Sequence, residues 1–388
     1  MAGLKKVFTR ELFLMGREPK RLLFALVLPL LFFWFFMGLF QSGVPRDMPI
    51  AVVDYDLSAL SRQLSVQLDA TPEITVKILP ETDLEAKRLL ETGQVYAMVV
   101  IPENFQADVR SGRSVKIVNF TNGAFLLPSG LISRAFQKTV GTLSAGVSIQ
   151  ARMKRGALQE QAMISMRPIG LSSKILFNPY GNYSYYLNTG LLPMMLQLFV
   201  MLTTIYSIGK DLKYHQGRSL YRLGERSLPS IVWGKLLPYT LLFFIVGMLM
   251  NFAMFLWEDF PLNGSKFIVV LATMLFILAH QALGVYFAAG AKSLRAALTS
   301  GTGFSAVSMS FAGLTFPDLG MPVPIQWLSN VFPLTHYLSV MIDQGQRGAP
   351  VVYSLPAFAL LLLLVLLPML GWLKLRKLYA AGGYPERV

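Results

Sequence analysis

The chain has 388 residues, of which 54% are hydrophobic and only 14% are charged, whereas soluble domains usually carry about 25% charged residues. This composition favours a membrane protein. The net charge of +14 does not indicate nucleic-acid binding, because the basic residues flank apolar runs instead of forming one stripe with interleaved aromatics. The lack of cysteine excludes disulfides and thiolate metal sites, and the three histidines are too far apart in sequence for metal-ligand spacing.

The first 21 residues predict an amphipathic helix that lies in the inner membrane interface. Apolar residues recur at helical spacing from Leu4 to Met15, and basic residues lie mostly elsewhere. A short frayed cytoplasmic tail is the alternative. The next apolar run, residues 22–40, is long enough to cross a bilayer core of ~30 Å. It is too long for a signal-peptide core and lacks a small-residue cleavage site, so we expect an uncleaved first span.

Residues 42–182 contain no apolar run of spanning length and predict a separate α/β domain. The strand-like stretches PIAVVD, ITVKIL, YAMVVIP and SVKIVNF alternate with helical ones, and residues 129–155 predict one long helix. The segment has no glycine-rich cofactor turn after a strand and no histidine for a Ser-His-Asp triad. Asp54 and Asp56 resemble a catalytic carboxylate pair, but a strand end followed by a helix N-terminus explains them better.

Five further apolar runs raise the expected number of spans to six. The fifth span is rich in Gly, Ser, Ala and Thr, and small residues favour close helix packing in lipid. The sequence thus predicts a polytopic α-helical membrane protein with six transmembrane helices, an inserted α/β extracytoplasmic domain and an N-terminal interfacial helix. The five runs cover residues 187–208, 231–257, 267–289, 294–316 and 354–373.

The distribution of lysine and arginine predicts how the spans are oriented. With the N-terminus inside, the inner segments hold eighteen of these residues, whereas the short outer segments hold only two, Lys266 and Arg347. The long segment is exempt from this rule. We therefore expect both termini, the loop 209–230 and the tail 374–388 in the cytoplasm, and residues 42–182 outside.

Energy for transport would have to come from another chain, because no nucleotide-binding sequence G-x-x-x-x-G-K-[ST] occurs. Ionisable residues are nearly absent from the predicted spans, which argues against an ion-driven carrier. His280 is the one titratable candidate, although an interhelical hydrogen bond is its simpler role. The polar residues that could line a substrate path are Asn188, Thr189, Gln197, Asn251, His280 and Gln281.

Five stretches of the chain together resemble a known family. They are PIAVVDYDLSALSRQL, AMVVIPENFQADVRSG, LFNPYGNYSYYLNTGLLP, GKDLKYHQGRSLYRLGERS continuing through RSLPSIVWGKLLPY, and NVFPLTHYL. In this order and spacing they resemble the permease subunits of ABC type-2 exporters, in the branch with a large extracytoplasmic domain. The resemblance covers nearly the whole chain.

This resemblance implies a transporter subunit of the bacterial inner membrane rather than an enzyme. The span interiors offer aromatics, methionines and a few neutral polar groups but no charged site, so we expect an amphipathic or lipophilic substrate, such as a drug or lipid. It implies two ATP-binding subunits as partners, which would hold ATP and Mg, and no cofactor on this chain. It also implies a second permease, either the same chain or a homologue. By analogy, the outer domain would dock a periplasmic membrane fusion protein.

The resemblance further implies that the loop 209–230 forms a coupling helix that contacts the ATPase. Gly217, Ser219 and Leu220 match the family's glycine, hydroxyl and leucine positions, with Arg218 inserted after the glycine. Basic residues replace most of the family's acidic ones, so we expect an acidic cleft on the ATPase. The predicted coupling residues are Lys210, Asp211, Gly217, Arg218, Ser219, Leu220 and Leu223.

Two other functions are weighed against the export permease. The chain could be an interaction protein whose outer domain binds an envelope partner and whose spans only anchor it, but six spans and a distinctive inner loop exceed what anchoring needs. An ion-driven carrier would need intramembrane charge and an internal repeat, and neither is evident in the sequence.

Overall fold

The structure is a computed structural model that describes residues 2–154, 176–178 and 181–385. The chain forms two compact units, one made of Met1–Gly43 with Leu176–Val388 and the other of Val44–Ile175. The predicted domain 42–182 extends beyond this second unit at both ends. Its portions 155–175 and 179–180 lie outside the described residues.

The chain begins with two helices of different character. Helix α1 (Ala2–Arg17) buries every fourth residue, namely Gly3, Val7, Glu11 and Met15. Helix α2 (Pro19–Leu39) is a candidate membrane span. It starts at a proline, which is favourable because the first helical residue needs no N–H donor. Arg21 therefore lies inside the helix, one residue before the predicted start of the span.

The second unit contains a four-stranded sheet with the order β2-β1-β3-β4, in which β4 alone runs antiparallel to its neighbour. Alternate residues of β1 enter different apolar clusters, Ile50 and Val52 on one face and Ala51 and Val53 on the other. The strands are β1 (Met48–Asp54), β2 (Ile74–Ile78), β3 (Ala97–Ile101) and β4 (Val118–Thr121), and the helices are α3 (Ala59–Asp69), α4 (Asp83–Glu91), α5 (Phe105–Ser111) and α6 (Leu126–Lys154).

The two aspartates of VDYD hold the turn after β1. The Asp54 carboxylate accepts hydrogen bonds from the Leu57 backbone at 3.0 Å and from the Ser61 hydroxyl at 2.7 Å. The Asp56 carboxylate accepts one from the backbone of Gln106 at 3.0 Å. Both are engaged at helix starts, in agreement with the structural interpretation of this pair.

The remaining helices belong to the first unit, and four of them begin after a side-chain cap. The side chains of Asn182, Ser227, Ser265 and Ser293 each accept a hydrogen bond from the backbone N–H three residues later, which satisfies a donor that the helix leaves free. The helices are α7 (Tyr183–Lys213), α8 (Gly217–Leu223), α9 (Leu228–Trp257), α10 (Lys266–Gly290), α11 (Leu294–Phe311), α12 (Val323–Ser329), α13 (Pro333–Met341) and α14 (Val351–Ala381).

Five helices among the described residues are long and apolar enough to cross a membrane: α2, α7, α9, α10 and α14. The chain is therefore a multi-pass helical membrane protein. Helix α11, the predicted fifth of six spans, is not among them, and it ends at Phe311 rather than at residue 316. Helices α7 and α10 are the most buried of the five and form the centre of this unit, whereas α2 and α14 lie at its periphery.

Candidate functional site

The predicted coupling loop is shorter than its sequence boundaries of 209–230. Helix α7 continues to Lys213, so Lys210 and Asp211 are helical, and α9 already begins at Leu228. Helix α8 occupies half of the connection between them. The Gly217 N–H donates to the Gly382 carbonyl at 3.0 Å, and a Cβ atom on Gly217 would lie only 2.8 Å from that oxygen. A glycine is therefore required where α8 meets the C-terminal turn.

Helix α8 has one face packed within the chain and one face exposed. Leu220 is only 2% exposed and belongs to an apolar cluster with Leu212 and Leu375, so it cannot itself contact a docked partner. Leu223 is partly buried against the same cluster. Arg218, Ser219 and Arg222 are exposed, as is Tyr214 before them. The predicted residues thus separate into a structural set and a basic outward face.

A network of charged groups lies beneath this loop, in which Glu11, Arg21, Asp211 and Lys235 are all buried. We call these four residues the ion cluster. They come from four different helices, α1, α2, α7 and α9. The Lys235 ammonium pairs with Glu11 Oε2 at 3.0 Å and with the Asp211 carboxylate, and the Arg21 guanidinium pairs with the Glu11 carboxylate.

Neutral hydrogen-bond donors complete the coordination of the Glu11 carboxylate. The hydroxyls of Tyr239 and Ser207 both donate to Glu11 Oε1 at 3.1 Å. Arg21 in turn donates to the Tyr239 hydroxyl at 2.8 Å. Burying an ion costs several kcal/mol unless its hydrogen-bonding capacity is filled, and here both carboxylate oxygens are engaged.

Three more charges border the ion cluster and are more accessible. Arg10 donates to Asp211 at 2.9 Å, and Glu18 accepts from Arg21 at 2.9 Å and also pairs with Lys210. Two of the predicted coupling residues, Lys210 and Asp211, therefore lie in this network. They contact α1 and the start of α2 and do not lie in a free loop. The network joins the N-terminal helix to both helices that flank α8.

The electrostatics keep the Glu11 carboxylate ionised. Burial raises the pKa of Glu11, but the charges of Lys235 and Arg21 outweigh that effect and hold the pKa below its ordinary value of 4.5. Burial likewise raises the pKa of Glu18, and hydrogen bonds from Lys210 and Arg21 lower it further than burial raises it. The site is a charge-paired junction at neutral pH.

Sequence reasoning missed most of this network: Glu11, Arg10, Glu18, Arg21 and Tyr239 were not singled out. One local signal was available, because Glu11 stands at the same four-residue spacing as Val7 and Met15 on the apolar face of α1. An acidic residue in that position needs a buried cation. The sequence could not identify that cation, because Lys235 lies 224 residues away along the chain.

The six predicted path residues are all buried, but they do not converge on one site. Gln197 donates to the Ser308 hydroxyl at 2.6 Å, and Asn251 donates to Thr273 at 3.0 Å. Gln281 accepts from Thr240 at 2.8 Å. These three bonds each join two different helices. Asn188 and Thr189 instead bond within α7, to Ser184 and to the Tyr185 carbonyl.

His280 bonds to its own helix rather than to a neighbouring one. Its Nδ1 donates to the Phe276 carbonyl at 2.9 Å, one turn earlier. Its Nε2 is buried and finds no hydrogen-bond partner among the described residues. The imidazole also packs edge-on against the Phe276 ring, with 4.5 Å between centroids. The expected interhelical hydrogen bond of His280 is therefore not observed.

Comparison with known proteins places this architecture in a class of membrane transporters. The family model of the ABC-2 family transporter protein matches residues 20–374, so the chain belongs to that family. Members are permease subunits and do not themselves hydrolyse ATP. The family implies an ATP-binding subunit as a partner in general.

Two curated relatives extend across nearly the full length. The chain is 20% identical over 368 residues to the probable multidrug ABC transporter permease YbhS of Escherichia coli K12, covering 93% of each chain. The protein of that name from Escherichia coli O157:H7 gives the same identity and coverage. The resemblance to ABC type-2 permeases drawn from the sequence is thus confirmed.

Proposed function

We propose that the chain is the membrane-spanning subunit of an ATP-driven exporter that moves an amphipathic or lipophilic substrate out of the cytoplasm or the inner leaflet. Helix α11 completes six spans, both termini lie in the cytoplasm and the sheet unit lies outside the bacterial inner membrane. The partners are two ATP-binding subunits and a second permease, either the same chain or a homologue. A periplasmic membrane fusion protein docks on the sheet unit.

One observation carries the coupling role: α8 presents an exposed basic face while its other face is fixed to the chain. Arg222 is exposed to acidic groups of an ATPase, whereas Leu220 is buried in the apolar cluster beneath it. Arg218 is exposed as well, although its Nε donates to the Ala380 carbonyl at 3.3 Å. The ion cluster lies beside the buried face of α8. It joins α7 to α9 through the ion pair of Lys235 with Asp211. A movement imposed on α8 would therefore be passed to two spans at once.

The test combines two charge reversals on that face, Arg218→Glu and Arg222→Glu, with Lys138→Glu on the exposed surface of α6 as the matched control. The chain is reconstituted in lipid with its ATP-binding subunit, and complex formation and stimulated ATP hydrolysis are measured. Each reversal should weaken the complex by about tenfold and make the remaining binding less sensitive to salt. The control should leave both unchanged.

The coupling assignment fails if the double variant binds and stimulates the ATPase like the wild type. The broader proposal fails if the unmodified chain neither forms a complex nor changes ATP hydrolysis. Leu220→Asp would not test the interface, because a carboxylate at that position would be buried inside the chain itself.

The substrate path is proposed along α7, α9 and α10, where the six buried polar residues could exchange their present hydrogen bonds for bonds to substrate. Asn251→Leu should change the relative transport of polar and apolar substrates in reconstituted vesicles. It should not affect assembly with the ATPase. An unchanged substrate preference would remove Asn251 from the path.

A further inference from the structure

A cavity of about 400 Å³ opens between α2 and α9, at the ends of these helices that lie away from the ion cluster. Its size falls within the range of about 300–1,000 Å³ that small-molecule sites occupy. Its walls are mostly apolar, with Leu30, Phe33 and Phe252 among them. It is separate from the junction beside α8 and contains none of the six path residues.

Two tryptophans from different helices line this cavity. The rings of Trp34 and Trp257 meet edge to face with 6.1 Å between their centroids. They are 71% and 67% exposed, so most of their ring surface is not covered by other residues of the chain. The face of an indole ring attracts organic cations more strongly than any other side-chain ring does.

A carboxylate completes the lining directly after the second tryptophan. Glu258 is half-buried, and no lysine, arginine or histidine of the described residues lies within 4.0 Å of its carboxylate. Burial raises the pKa of Glu258, and the neighbouring Asp259 raises it further. Burial and the like charge of Asp259 both disfavour the anionic form, so a cation bound beside Glu258 would be stabilised by its carboxylate.

We propose that the cavity binds an amphiphilic organic cation. The positive charge would lie between the Glu258 carboxylate and the faces of Trp34 and Trp257, and the apolar body would contact the aliphatic and phenyl side chains of α2 and α9. A lipid chain could fill the apolar walls alone but would leave the carboxylate without a partner. Charge complementarity therefore favours a cation.

The experiment measures equilibrium binding of radiolabelled tetraphenylphosphonium to the purified full-length chain in detergent, without nucleotide or ATP-binding subunit. Tetraphenylborate serves as the comparison ligand, because it has nearly the same shape and the opposite charge. We expect saturable binding of the cation, with the anion bound at least about tenfold more weakly.

Two variants locate the site, each with a matched control. Glu258→Gln and Trp257→Leu should each weaken binding of tetraphenylphosphonium by about tenfold. Glu225→Gln, at an exposed carboxylate that pairs with Lys6, and Trp327→Leu, at an exposed tryptophan outside the cavity, should not alter binding.

Equal binding of cation and anion, or unchanged binding by Glu258→Gln, would overturn the proposal and leave a groove for apolar chains only. That result would not affect the export proposal, which is tested through the ATPase. Conversely, a chain that fails to stimulate an ATPase could still bind the cation as expected.

Discussion

At the scale of single residues, Lys235 is the group on which the ion cluster depends. It is fully buried, and of the two cations in the ion cluster it is the one that pairs with both Glu11 and Asp211. Arg10 also pairs with both carboxylates, but it is partly exposed at the border of the cluster. Removing one partner from a buried ion pair leaves the other charge uncompensated, which costs far more than the pair contributes when intact.

We therefore expect Lys235→Met to destabilise the membrane unit by about 3–5 kcal/mol. Lys6→Met is the control, because Lys6 pairs with Glu225 at an exposed site where the loss should stay within about 1 kcal/mol. Thermal unfolding of the purified protein in detergent measures both. Equal effects of the two substitutions would show that the ion cluster contributes no more than a surface pair.

The stability of the folded chain should depend on pH through the ionisation of Glu11. Its pKa is lower in the folded chain than its ordinary value of 4.5, so its contribution is complete above that pH and is lost as the pH falls towards the depressed value. The melting temperature should be level near neutrality and fall in acid. The melting temperature of Glu11→Gln should be lower at neutral pH and should fall less steeply in acid. If the melting temperatures of the variant and the wild type fell equally steeply in acid, this assignment would be contradicted.

At the scale of elements, the sequence predicted the apolar part of each helix better than its ends. Helix α7 was expected over 187–208 but covers Tyr183–Lys213. Hydropathy detects the segment inside the hydrocarbon, whereas the helix continues until its last backbone groups are capped. Asn182 provides the cap at one end. The polar end at Lys210 and Asp211 is stabilised by Glu18 and Arg10, which only the folded chain brings near.

The position of α8 depends on its contact with the C-terminal turn. Gly217→Ala would normally favour a helix by up to about 1 kcal/mol, but here the new methyl group would collide with the Gly382 carbonyl. We expect a lower melting temperature and faster amide exchange across α8. Gly141→Ala in α6, where nothing lies within 4 Å of the added atom, should be neutral or stabilising. Slower exchange in the first variant would refute the contact.

At the scale of the whole molecule, alternation of strand and helix signals was enough to locate the four strands of the sheet that the described residues form. Only β4 differs appreciably, since it begins at Val118 rather than near residue 114. The ion cluster was beyond sequence reasoning, because its pairs connect residues up to 224 positions apart and no local pattern specifies such partners. Leu220 lies on the inner face of α8, and periodicity alone could not assign it to the inner or the outer face.

The sheet unit should fold without the membrane helices. It has its own apolar clusters on both faces of the sheet, which is what independent folding requires. A fragment of residues 44–175 should be soluble, show mixed helix and strand circular dichroism and unfold cooperatively. Leu64→Ala, at a fully buried position, should lower its stability by about 2–5 kcal/mol. A fragment without a cooperative transition would contradict this expectation.

The ion cluster also has a consequence for the order in which the chain is made. Glu11 and Arg21 emerge from the ribosome early and can pair at once, and Arg10 is already present when Asp211 follows. Lys235 is the last of the four to arrive, and both carboxylates that it pairs with precede it. The ion cluster therefore lacks part of its positive charge until the start of α9 has been synthesised. Lys235 is the residue whose synthesis completes it.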